Sequence, residues 1–329
     1  MDSKLSKSPR KRLATLDIAR MVCIILVVIG HYDPSNAPVQ YNNLLKVIYT
    51  FHMPVFLFIS GYLYIVTRRE EETFAAFIIK KIKRLAIPYL VTSTIIITIK
   101  LLTQGSARVD HPVTALSYLR MFYLPEAGYF LWFIIALMMM FMIVFHFKSR
   151  TSRLVLLVVS FAISLLPSCD IDILCLRQCQ AMMVYFMTGV VIADYAPNLF
   201  KLNTGPTLII LLLLAVGEAY YVQHQDSMLM YRSLAFLGIA AVMPLCHNCE
   251  RHVPVLARSC VLLAPSVYII YLFHTTIEGF GKAFLEKFPI LDTFSLQAII
   301  IIALAFIIPI LLHHLILKRF ATTRFLFGL

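Results

Sequence analysis

LDIARMVCIILVVIGH, residues 16–31, decides the fold. Its inner run, MVCIILVVIG at 21–30, has no charge and no polar face, so a helix made from it is at home in lipid or among other helices. Arg20 and His31 bracket that run. Eleven positions make about three helical turns, which sets both side chains on one face, roughly 16 Å apart along the axis. Asp17 joins the same stripe one turn earlier and is placed to hold the Arg20 guanidinium. Ionisable groups in such a segment are costly, which points to function. A second reading stays open: Asp17 and Arg20 near a cytoplasmic end, the arginine reaching to the interface, and His31 a plain helix-end residue.

The rest of the chain repeats this character. Of 329 residues 60% are hydrophobic and 14% charged, with a mean hydropathy of +0.84. These values predict an all-α, polytopic membrane helix bundle. Ten spans are expected, at about 16–31, 44–66, 86–102, 130–147, 154–167, 182–196, 206–222, 229–245, 262–277 and 294–316, the fifth and sixth being short. With both termini cytoplasmic, twenty of the 29 Lys and Arg residues fall on inner segments and eight on outer segments or span ends. That asymmetry accounts for the net charge of +12, and the scattered basic residues argue against nucleic acid as a partner. The basic start followed by an apolar run also resembles a signal peptide, but no small-residue cleavage site follows His31, so it is read as a retained span.

One domain, 1–329, is expected, with a basic cytoplasmic tail at 1–15 and another tail at 318–329. Between spans two and three, residues 67–85 include Phe74, Phe77, Ile78, Ile82 and Leu85 at helical spacing against Glu71, Lys80, Lys81 and Lys83. This pattern predicts an amphipathic helix on the inner surface that feeds span three. The outer loop at 103–129 holds Arg108, Asp110, His111, Arg120 and Glu126; it suits either a hydrophilic acceptor or plain solvation. Cys169, Cys175 and Cys179 share an outer loop, where one disulfide would leave one thiol over. The inner CHNCERH, with Cys246, His247, Cys249 and His252, has metal-like spacing but no second ligand pair, so no metal site is expected.

Other polar residues recur within spans. His52 and Ser60 lie in the second, and His274 lies near the outer end of the ninth. With His31 they put three imidazoles in the outer half of the membrane. Each alone reads as a packed, hydrogen-bonded membrane residue. Glu218 and Asp194 are weaker candidates, near span ends.

Five motifs stand in order along the chain: LDIAR at 16–20 with His31 after ten intervening residues, FHMPVFLFISGYL at 51–63, KIKRLAIPYL at 81–90, FLWFIIAL at 130–137 and SVYIIYLFH at 266–274. In this set the chain resembles the acyltransferase 3 family of bacterial integral membrane acyltransferases, many of which O-acetylate cell-surface sugars. It implies a protein of the bacterial cytoplasmic membrane that takes an acyl group, usually acetyl, from cytoplasmic acyl-CoA. The group goes to a hydroxyl of a sugar or polyprenol-linked glycan outside. Acetyl-CoA is then a substrate, with no permanently bound cofactor and membrane lipid as surroundings. By the same resemblance His31 is catalytic and Arg20 and Arg84 hold the donor. Asp17, His52, Ser60, Trp132, Tyr271 and His274 are supporting candidates.

The chemistry of the residues agrees with that expectation. A neutral imidazole takes the proton of an attacking hydroxyl, or carries the acyl group itself. Arginine grips phosphate bidentately. Arg84 and its lysine neighbours are equally explained as a span start facing anionic lipid, and Trp132 as part of an aromatic belt. A transporter or flippase of a lipid-linked glycan is the alternative, though neither internal repeats nor interrupted spans are evident. A pH-responsive sensor is a third reading, and it lacks an output domain.

Overall fold

The computed structural model describes residues 13–69, 71–105, 111–224, 227–285 and 293–329. Lys4, Lys7, Arg10, Lys11, Arg12, Glu70, Arg108, Asp110 and Lys287 lie outside the described residues, and with them most of the expected N-terminal tail. Ten helices hold the ten expected spans: α1 Ala14–His31, α2 Val39–Thr67, α3 Phe74–Thr103, α4 Tyr129–Phe145, α5 Arg150–Ser164, α6 Leu176–Tyr195, α7 Thr204–Gln223, α8 Met228–His252, α9 Pro254–Leu285 and α10 Phe294–Leu317. No strand occurs among the described residues. Among the described residues eight stretches are long and apolar enough to cross a membrane, while α4 and α5 are shorter. The chain is an all-α polytopic membrane bundle. The sixth span, expected to be short, is a full 20-residue helix.

The helices alternate in direction. At one end Thr15 at the start of α1 donates to the Glu250 carboxylate at the end of α8. At the same end Arg153, opening α5, grips Asp194, closing α6, through Nε at 2.5 Å and Nη2 at 2.9 Å. The third Arg153 nitrogen donates to the carbonyls of Phe147 and Lys148, so four of the five N–H groups of this buried cation are paired within the protein. Asp194 is therefore a structural partner. The opposite end carries His31, His274 and the start of α4. An even number of alternating helices brings the chain back to the end at which it started.

The closest packing joins α2 to α6. A Cβ on Gly61 would collide with the Phe186 carbonyl, and one on Gly189 with the Phe58 carbonyl, so the two backbones meet where only glycine fits. Pro54 lies inside α2 and removes the hydrogen bond that would end on the Thr50 carbonyl. The Thr50 hydroxyl, a group separate from that carbonyl, donates to the Glu218 carboxylate of α7 at 2.5 Å.

Two expectations need correction, and a question that the cysteine spacing leaves open is answered. The amphipathic segment is no separate surface helix: it starts at Phe74 and runs through a π-helical turn, Ile82–Ala86, straight into the third span as α3. Phe74 and Phe77 are held there by Phe145 of α4, with ring centroids 5.1 and 5.0 Å away. The CHNCERH residues are not in a loop, because α8 continues to His252; no group of three metal-binding side chains occurs among the described residues. Cys169, Cys175 and Cys179 are all free thiols.

Candidate active site

The helix α1 ends where Asp33-Pro34 forces an extended backbone. Its last carbonyls, which a helix leaves without partners, are taken up by α2: Tyr41 donates to Ile29 at 2.8 Å and Tyr49 to Gly30 at 2.6 Å. This fixes His31 at the rim of the membrane layer. His31 Nδ1 lies 2.8 Å from the Val27 carbonyl, an acceptor only, so Nδ1 carries the proton and Nε2 the lone pair in the neutral ring. His52 repeats the arrangement with the Ile48 carbonyl at 2.6 Å, and His274 with Tyr271 and Ile270 at 2.8 and 3.2 Å. Three imidazoles thus share one tautomer.

These rings come together. His274 stands edge to face with His31, centroids 4.9 Å apart. Phe130, at the start of α4, packs against both, at 6.2 Å from His31 and 5.3 Å from His274. Tyr271 ties the assembly by donating to the Phe130 carbonyl at 2.5 Å. A cavity of about 880 Å³ opens beside them. Val27, Met53 and Ile96 close its inner limit, while His31, His52, Trp132 and Tyr271 line its wall. Asp33, Lys100, His111, Gln178 and Lys282 bring polar groups to it, with Tyr129 and Phe280 as exposed aromatic surfaces.

Of the candidates from sequence, His31, His52, Trp132 and Tyr271 line this cavity, and the fully buried His274 backs it. Four others lie elsewhere. Arg20 is half-buried and faces Asp17 at 3.6 Å, the pairing that their spacing suggests. No open path runs along the face that Arg20 shares with His31: Ile24, on the same face, is wholly enclosed and Val27 nearly so, since branched aliphatic side chains there fill the contacts of α1 with its neighbours. Ser60 turns its hydroxyl back to the Phe56 carbonyl at 2.9 Å. Arg84 is exposed in the π-helical turn of α3, at the end opposite His31. The C-terminal backbone at Gly328 lies against that turn, close enough that a Cβ there would sit 2.9 Å from the Arg84 carbonyl oxygen.

Sequence reasoning passed over Tyr32, Tyr49, Lys282 and Glu278. For Glu278 a signal existed: it falls four residues after His274, on the same helical face. In the outer loop, His111 reaches the cavity, whereas Arg120 and Glu126 pair with each other at 3.8 Å.

No curated protein and no solved structure matches the chain. A family model described as an acyltransferase domain does, over residues 13–314, a span that includes α1, the three histidines and nearly all of α10. The chain therefore belongs to the acyltransferase 3 family and is a multi-pass membrane protein built on its acyltransferase domain.

Proposed function

We propose that this protein moves an acyl group, acetyl in the first instance, from cytoplasmic acyl-CoA to a hydroxyl of a cell-surface or lipid-linked sugar in the bacterial cytoplasmic membrane. The observation that carries this reading is the His31 ring: tied through Nδ1 to Val27, it lines a cavity large enough for a sugar unit. The lone pair of Nε2 is then free to take the acceptor's proton as the oxygen attacks the thioester carbonyl, the proton passing to the departing CoA sulfur. In the covalent variant Nε2 attacks first and holds the acyl group, and His52, whose Nε2 has the same character, takes the acceptor's proton in the second step. The aromatic faces and polar groups of the cavity suit a sugar, which offers both C–H faces and hydroxyls.

The donor is drawn to the other end. Arg84 and Lys83 are exposed there, and the positive charge at that end suits the phosphates of CoA. Its pantetheine arm has to pass the layer made by Ile24 and Val27, so donor entry is a gated step in which those side chains move.

The test is acetyl transfer in membranes that hold the full chain, followed with radiolabelled acetyl-CoA and by mass spectrometry of the surface glycan. His31→Ala is expected to abolish transfer while the protein still accumulates in the membrane. Unchanged acetylation in that variant overturns the reading, and a chain that moves glycan without consuming acyl-CoA is a transporter.

A further inference from the structure

Behind His31, where α1 meets α9, three buried polar atoms have no hydrogen-bond partner among the described residues: the Tyr32 hydroxyl, His274 Nε2 and Glu278 Oε1. Their side chains are 0, 0 and 2% exposed. Tyr32 follows His31 in the chain, and the His274 ring stands 4.9 Å from that of His31. Glu278 lies one turn beyond His274 on the same face of α9 and within electrostatic reach of Tyr32. One such unpaired group costs about 1–3 kcal/mol, so three carried by Tyr32 and by one face of α9 point to something that pairs them.

The count of donors and acceptors identifies it. His274 Nδ1 is spent on backbone carbonyls, so Nε2 accepts. The Glu278 oxygen also accepts, and the tyrosine hydroxyl has a proton to give. A water molecule has two protons to donate and lone pairs to accept with. Donating to His274 Nε2 and to Glu278 Oε1 while accepting from Tyr32 gives it the three bonds usual for buried water. We infer that Tyr32, His274 and Glu278 form a binding site for a buried water, and that through this water and His274 the Glu278 carboxyl is a positioning residue for His31.

The remaining groups around it fit. Lys282, one turn past Glu278, places its ammonium 5.2 Å from the centre of the Tyr32 ring and lines the cavity. Tyr41 and Tyr49 of α2 lie within electrostatic range of Glu278, and Asp33, just past the end of α1, within range of both tyrosines. His274 packs directly on His31, so a water that fixes the His274 ring also limits how His31 turns about its Val27 bond. Without it, the His274 lone pair is left unpaired in a dry contact, and the ring rotates to pair it.

This inference rests on His31 being the catalytic group, and the experiment separates the two. Membranes that contain the full chain are assayed with radiolabelled acetyl-CoA for label in glycan, with His31→Ala as the blank. Glu278→Leu fills similar space without an acceptor and is expected to lower kcat about tenfold, with KM for acetyl-CoA within about twofold of wild type. Glu278→Gln keeps a carbonyl oxygen for the water and is expected to recover most of that loss. Combining Glu278→Leu with His274→Ala should cost no more than His274→Ala alone, since both act through one link. A wild-type rate in Glu278→Leu, equal defects in the Leu and Gln variants, or multiplying effects in the double variant overturns the proposal. If Glu278→Leu does not accumulate, Tyr32→Phe decides: a fall in kcat of about threefold supports the water site, and an unchanged kcat overturns it. Label transfer by His31→Ala at the wild-type rate, above that of membranes without the chain, would instead remove the reading of His31.

Discussion

His31 and His274 meet edge to face, 4.9 Å between ring centres, across the contact of α1 with α9. Two imidazoles from helices more than 240 residues apart in the chain are held there by bonds to their own helices, each through Nδ1. Side chains tied to their own backbone and packed on one another have few ways to move. On the proposed reading of His31 as a base, that fixes the direction of its lone pair before a substrate arrives, which is where most of the gain from positioning such a group originates.

The Phe130 ring should transmit small shifts to this pair. A Cβ on Gly128 would come within 2.7 Å of a Phe130 ring carbon, and that ring rests on both histidines. Gly128→Ala is expected to reduce kcat about tenfold or more while membrane levels hold, because small misplacements of reacting groups are costly. An unchanged kcat would mean that Phe130 swings away without disturbing His31.

Arg20 is expected to act on the donor. Arg20→Lys keeps the charge but loses the planar fork, so KM for acyl-CoA should rise about fivefold with kcat little altered. An unaltered KM would leave Arg20 as the ion-pair partner of Asp17.

Arg153 and Asp194 are each 6% exposed in their side chains and bind each other through two bonds. Removing one partner strands a buried charge, so Arg153→Ala should destabilise the fold by about 3–5 kcal/mol. Thermal unfolding in detergent measures this; a midpoint within a degree of wild type would refute it.

At the α2–α6 contact, Gly189→Leu should prevent the two backbones from meeting. The cost is expected to exceed the roughly 1–3 kcal/mol of ordinary overpacking, since backbone rather than a flexible side chain is struck. The readout is the amount of folded protein in the membrane, and normal accumulation would show that the helices have room to part.

How far the sequence reaches is visible in these same residues. The run at 16–31 and the positions of His31, His52 and His274 are legible because apolar length and isolated polar groups mark spans and their occupants directly. The helical period also places Asp17 beside Arg20, as found. What periodicity does not carry is which helix faces which. Arg153 with Asp194, and Thr50 with Glu218, are pairings between distant segments, and Glu218 near a span end looked incidental until α2 was seen to cover it. The stripe from Arg20 to His31 was legible as a face but not as a closed one, because the packing of Ile24 depends on neighbouring helices. The π-helical turn at Ile82–Ala86, just after Phe77, reads in sequence as a break between two helices, whereas the backbone absorbs it within one.

Trp132 is the single tryptophan of the chain, and it lines the cavity beside His31. Excited at wavelengths that tyrosine does not absorb, the molecule thus has one emitting side chain, and it reports from the compartment where the acceptor would sit. Emission from unlabelled protein should shift or quench as candidate sugars enter, so ligands can be ranked by optical titration before any turnover is seen.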